Sequence, residues 1–125
     1  RGYGTGGALW PCASVLCTWL ASEITAALNH DLPTGVSVVT EQKPLQDKVV
    51  LELGAGTGAV GIFAAALGAQ SVFLTDRGGP DLQRLIRENV EANRITGEIH
   101  PDTAIKVIKY RWGDELPSDV ADADG

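Results

Sequence analysis

Glu52, the alternating glycines Gly54, Gly56 and Gly58, and Asp76 are the residues whose types and spacing could bind and orient a reactive ligand. The first four stand in the run Val49-Val50-Leu51-Glu52-Leu53-Gly54-Ala55-Gly56-Thr57-Gly58, which leads into an apolar stretch from Ala59 to Leu67. Glycine at alternate positions removes each Cβ from a turn, so the backbone can bend sharply and a ligand can approach it closely. A helix that starts after such a turn aims its free N–H groups and its positive dipole end at whatever lies above. The pattern is that of a site for a nucleotide-type cofactor.

Two cofactors compete for it. Gly54, Gly56 and Ala59 satisfy the G-x-G-x-x-G/A dinucleotide fingerprint, and Asp76 follows about twenty residues on. A carboxylate at that place can accept hydrogen bonds from both ribose hydroxyls, in NAD or in S-adenosylmethionine. Glu52 separates the two readings. Dinucleotide turns bring an apolar strand end against the pyrophosphate, and a carboxylate there would repel it. S-adenosylmethionine carries an ammonium and a sulfonium and no phosphate, so it welcomes the same carboxylate. The blander role for Glu52 is to hydrogen-bond loop amides. S-adenosylmethionine is the expected cofactor.

The elements that must position these residues follow from periodicity. Apolar residues at Cys12, Leu16, Trp19, Leu20, Ile24, Ala27 and Leu28 predict an amphipathic helix from Trp10 to Leu28, with Pro11 in its first turn. Residues 29–47 read as a loop with at most a short strand at Val36–Thr40. A strand is then expected at Lys48–Leu53, a helix at Ala59–Leu67, and a strand at Ser71–Thr75 ending at Asp76. A helix at Asp81–Asn93 and a third strand at Ala104–Trp112 complete the series. This β-α-β-α-β order implies an α/β fold with a parallel sheet and right-handed crossovers.

Bulk properties narrow the function. A chain of 125 residues is one domain at most, and 44% hydrophobic with 21% charged residues is the composition of a globular protein. A net charge of −6, with only ten Lys and Arg, argues against a nucleic-acid partner. Ser14, Thr18, Ser22, Glu23 and Thr25 interrupt the first helix, which argues against a membrane span. Cys12 and Cys17 lie five apart on that helix, so a disulfide is not expected, and no metal motif is present. A reducing compartment fits, and the cytoplasm is expected with the nucleus as the alternative. The chain lacks methionine and begins with Arg1, so it reads as part of something longer.

The sequence resembles the seven-β-strand methyltransferases, in particular the family 16 protein-lysine methyltransferases. The resemblance rests on Gly6-Gly7-Ala8-Leu9-Trp10-Pro11-Cys12-Ala13, on the glycine run, and on Leu74-Thr75-Asp76-Arg77. Asn89-Val90-Glu91-Ala92-Asn93 and Tyr110-Arg111-Trp112-Gly113 extend it. It implies a Rossmann-like parallel sheet with helices on both faces, truncated after about the third strand. In the domain so outlined, residues 1–47 are a helix and loop, 48–113 the core, and 114–125 a cut loop. Gly54 and Gly56 would lie against the methionine part of the cofactor, Asp76 would hold the ribose, and Trp112 would border the adenine beside Gly113. Trp10 would wall the methionine end, or else anchor its helix. Trp112 has its own alternative, a strand-end aromatic packed on a helix. Arg77 is expected to be solvated, Asn89 and Asn93 to bond helix to loop, Trp19 to lie in the core, and His30 and His100 to be exposed.

The resemblance also implies a protein substrate, with a neutral lysine amine attacking the sulfonium methyl directly. No residue of this chain is assigned as catalytic acid or base, since alignment and desolvation carry such a reaction. Relatives place an Asp-x-x-Tyr motif after the fourth strand. Here the only tyrosines, Tyr3 and Tyr110, lie upstream of that position. In the family fold the first strand sits mid-sheet, so in this chain it is expected to become an apolar edge. A nicotinamide-dependent oxidoreductase and a non-catalytic binding module are the competing functions.

Overall fold

Ser71–Asp76 is apolar on consecutive residues rather than alternate ones, which suits a strand covered on both faces. It is the central strand of the sheet, with Val72, Phe73, Leu74 and Thr75 all buried. In a computed structural model that describes residues 4–29 and 45–123, a 3₁₀ turn at Gly4–Gly7 precedes helix α1 (Pro11–Asn29). Strand β1 (Val49–Leu53), helix α2 (Ala59–Ala66), strand β2 (Ser71–Asp76), helix α3 (Pro80–Ile95), strand β3 (Ala104–Lys109) and a short helix α4 (Ser118–Ala121) follow.

The strands are parallel in the order β1-β2-β3. The register pairs Val50 with Val72 and Val72 with Ile105, and likewise Glu52 with Leu74 and Leu74 with Val107. Val50, Val72, Leu74, Ile105 and Val107 therefore share one face. Onto it pack Ile62 and Ala65 of α2 and Leu82, Ile86 and Val90 of α3. Two crossovers of the same hand, moving the same way across a sheet, place both helices on one face. Helix α1 packs on α2. On the opposite face Lys106 lies 5.9 Å from the Phe73 ring centre and pairs with Asp119 of α4 at 3.0 Å.

The expected order of elements is present, with shifted boundaries. Strand β3 ends at Lys109, short of Trp112, because the chain turns: Asp114 N–H donates to Arg111 O at 3.1 Å and Gly113 takes a φ of 93°. The tail is not all loop, since Pro117 leads into α4. Trp19, expected in the core, is 54% exposed. Helix α1 turns Ala13, Cys17, Leu20 and Ala21 inward instead and leaves Trp19 and Val15 outside. The strand considered at Val36–Thr40, and His30, lie outside the described residues. Among the described residues no helix is long and apolar enough to cross a membrane.

Gly61 sets the closest approach of α2 to the sheet. A Cβ there would run into Leu74 Cδ2 and stand 2.8 Å from Glu52 Oε2. Gly61→Ala is expected to cost about 1–3 kcal/mol, the usual penalty for overfilling a packed contact. Urea unfolding would measure it, and a loss below about 0.5 kcal/mol would show that α2 backs away freely.

Among the described residues β1 pairs on one side only, and Val49, Leu51 and Leu53 are exposed. An apolar edge with free backbone groups recruits other strands. The 125-residue chain is expected to show a thermal transition that depends on concentration and reverses poorly, and Val49→Lys to restore reversibility. A sharp, reversible, concentration-independent transition in the unmodified chain would refute this.

Candidate functional site

The turn between β1 and α2 depends on glycine at three positions. Gly54, Gly56 and Gly58 have φ of 73°, 55° and 81°, a region that L side chains rarely enter. Main-chain and side-chain bonds fix its path. Gly54 N–H and Ala55 N–H both donate to Thr75 O at 2.9 Å, and the Thr75 hydroxyl donates to Glu52 O at 2.7 Å. Asn89 Nδ2 on α3 donates to Thr57 O at 2.9 Å, the helix-to-loop bond expected of it, whereas Asn93 Nδ2 donates to Asn89 O within α3.

Asp76 ties this turn to the next one. Gly56 N–H donates to Asp76 Oδ2 at 3.0 Å, and Gly78 N–H donates to Asp76 Oδ1 at 2.8 Å. Each carboxylate oxygen accepts one bond and retains a further lone pair. A vicinal diol laid over the turn would find both oxygens still able to accept. The residues present therefore fit a ribose.

Glu52 lies behind the turn, on the side facing α1. Its Oε2 accepts from Gly61 N–H in the first turn of α2 at 2.8 Å, where the helix dipole favours a negative charge. Burial nevertheless pushes its carboxyl up to about 7. The Gly61 bond works against that rise, and the nearby Asp76 carboxylate adds to it. Burial and Glu52 together push the Cys17 thiol up as well. Glu52 thus bonds an amide of α2 rather than one of the loop, while its charge stays costly.

The expected site residues fall into two groups around the turn. Trp10, Glu52 and Gly54 line a groove of about 690 Å³ between α1, β1 and α2, with Leu16, Leu20 and Val50 among its walls. Gly56, Asp76 and Trp112 are absent from that lining. Trp112 is 72% exposed, and its Cζ2 stands 3.3 Å from where a Cβ on Gly54 would be, so its ring edge borders the turn. Trp10 Nε1–H donates to Thr5 O at 2.9 Å and fastens the 3₁₀ turn. That turn reaches the glycines: Gly6 O lies 3.2 Å from the place a Gly56 Cβ would take. Arg77 and His100 are exposed. Among the described residues no group of three or more His, Cys, Asp or Glu could hold a metal ion.

Gly61 and Thr75 shape the site as well, although neither stands in the run of alternating glycines. Gly56-Thr57-Gly58-Ala59-Val60-Gly61 is itself a G-x-G-x-x-G string. Its third glycine, rather than Ala59, makes the close helix–strand contact that such a fingerprint provides.

A raised carboxyl binds protons more tightly in the folded than in the unfolded chain. Stability therefore falls as pH rises from about 4.5 through 7, the interval between the ordinary and folded values for Glu52. Glu52→Gln keeps an acceptor for Gly61 N–H and should flatten that fall by on the order of 2 kcal/mol. Denaturant unfolding at pH 5 and pH 8 measures it, and equal slopes in both proteins would refute a Glu52 carboxyl raised by burial.

Comparison with known proteins supplies the context of this geometry. A sequence model described as lysine methyltransferase matches residues 1–124. The protein N-lysine methyltransferase METTL21A of Xenopus tropicalis is 39% identical over 114 residues, covering 90% of this chain and 41% of that protein. The protein N-terminal and lysine N-methyltransferase efm7 of Emericella nidulans is 35% identical over 69 residues, 55% of this chain and 27% of its own. The histone-arginine methyltransferase METTL23 of Xenopus laevis is 31% identical over 109 residues, 87% of this chain and 36% of its own. The chain thus spans less than half the length of these relatives. With the glycine turn, the bridging aspartate and a match along nearly its whole length, the chain belongs to the lysine methyltransferase family.

Proposed function

We propose that this chain binds S-adenosylmethionine and serves transfer of its methyl group to an amine of a protein, a lysine side chain in the first instance. The observation that carries this reading is the Asp76 carboxylate, held on Gly56 and Gly78 amides with lone pairs left for a ribose diol. Glu52 supports it, since a half-buried carboxylate behind the turn gains a partner in a cationic ligand and would repel a pyrophosphate. In this reading Gly54 and Gly56 admit the cofactor to the backbone, Trp112 borders its adenine, and Trp10 walls the opposite end while it secures the 3₁₀ turn.

When bound, S-adenosylmethionine supplies an electrophilic methyl group to a neutral amine. The chain's part is to hold, orient and dehydrate the reacting groups. Lysine as acceptor is supported by the names of METTL21A and efm7, whereas arginine is the residue named for METTL23. The nicotinamide alternative draws no support from these relatives. The acidic charge of −6 favours a basic protein partner over nucleic acid or an anionic membrane. The exposed thiol of Cys12 suits a reducing compartment such as the cytoplasm.

Calorimetric titration with S-adenosylhomocysteine tests the proposal. Saturable one-to-one binding is expected, and Asp76→Ala should weaken it by at least about tenfold, because two charge-assisted bonds and the anchor of both turns are lost. Folded protein that shows no heat, or an Asp76→Ala variant that binds as tightly as the unmodified chain, would refute it.

A further inference from the structure

Gln83 is a buried polar residue that the site described so far does not use. It sits in the first turn of α3 and is 6% exposed. Its Nε2 donates to two main-chain carbonyls, Asp76 O at 3.3 Å and Gly78 O at 3.5 Å. Its Oε1 is buried and has no hydrogen-bond partner among the described residues. The two acceptors fix the amide's direction, since the reverse would press Oε1 against two carbonyl oxygens. One end of the amide is thus bonded and the other stranded. A buried acceptor without a donor costs stability, and an apolar side chain of the same volume would avoid that cost. Packing alone gives no reason for glutamine here.

The carbonyls it reaches supply the reason. Asp76 and Gly78 bracket the turn whose geometry sets the Asp76 carboxylate, because Gly78 N–H donates to Asp76 Oδ1. Asp76 O is already held from the β3 side by Tyr110 N–H at 2.9 Å. Gln83 adds the hold from α3 and is the side chain that reaches Gly78 O. We infer that Gln83 is a positioning residue: its amide clamps the 76–78 turn so that Asp76 presents both oxygens to the cofactor ribose, at a cost in stability. The inference rests on the assignment of Asp76 to that ribose, while the clamp itself is a property of the ligand-free chain.

Gln83→Met keeps the volume and removes both the donor and the stranded acceptor. The expected result is a melting temperature equal to or above that of the unmodified chain. Amide exchange at Gly56 and Gly78, whose N–H groups both bond Asp76, should quicken several-fold while core amides stay unchanged. S-adenosylhomocysteine should bind about tenfold more weakly, because the 76–78 turn loses both long Gln83 bonds that preorganise it. A core residue would behave otherwise, lowering the melting temperature and raising exchange throughout the sheet. That outcome, or unchanged exchange at Gly56 and Gly78, overturns the inference. Gln83→Leu repeats the test with a different shape, and failure of both variants to fold would also make Gln83 a core residue. If the unmodified chain takes up no S-adenosylhomocysteine, the exchange comparison still decides the role of Gln83, and only the cofactor reading falls.

Discussion

The Asp76 carboxylate accepts hydrogen bonds from two main-chain amides that belong to different turns, Gly56 after β1 and Gly78 after β2. Around that bridge the other contacts acquire their sense. Thr75 O takes the Gly54 and Ala55 amides, the Thr75 hydroxyl returns a bond to Glu52 O, and Asn89 holds Thr57 from α3. Three glycines at positive φ would be a loose turn by themselves. Bonded at both ends and in the middle, they form a fixed cradle, and preorganised groups bind without further ordering cost.

Glu52 carries the opposite tendency. The N-terminal turn of α2 attracts its charge, yet burial and the Asp76 carboxylate make ionisation costly, and the carboxyl is pushed up to about 7. Two carboxylates, Glu52 and Asp76, thus stand near one turn, and the charge of Asp76 raises the cost of charging Glu52 further. The same glutamate requires glycine at 61, because a Cβ would crowd Oε2 and Leu74 at once. Charge and packing are thus set by one contact between β1 and α2.

The apolar surface is divided unevenly. Val72, Leu74, Ile62, Ile86 and Ile99 form a dry core on one side of the sheet. Leu9 and Trp10 ahead of α1, Leu16 on it, and Leu51 and Leu53 of β1 remain exposed. Parallel strands as apolar as β1 are normally covered on both faces. In this chain β1 is the boundary of the sheet among the described residues, and the same strand walls the groove beside α1.

The order of strands and helices was legible in the sequence because each step is local. Alternation of apolar runs, glycines at a turn and Asp76 at a strand end are read within a few residues. Asn89 also announced its loop contact. The two misplacements have different causes: burial depends on partners distant in the chain, and strand ends depend on turn geometry that apolar spacing does not report. Trp19 has the spacing of a core residue, but α2 covers a different face of α1. The third strand looks apolar as far as Trp112, yet the turn at Arg111–Asp114 ends it at Lys109. The types and spacing of Glu52, Gly54, Gly56 and Asp76 were determined by sequence alone. Only the tertiary structure decided that Glu52 is half-buried on the α1 side while Asp76 bridges two turns on the other, because desolvation and hydrogen-bond geometry exist only once β1, β2, α2 and α3 are packed together.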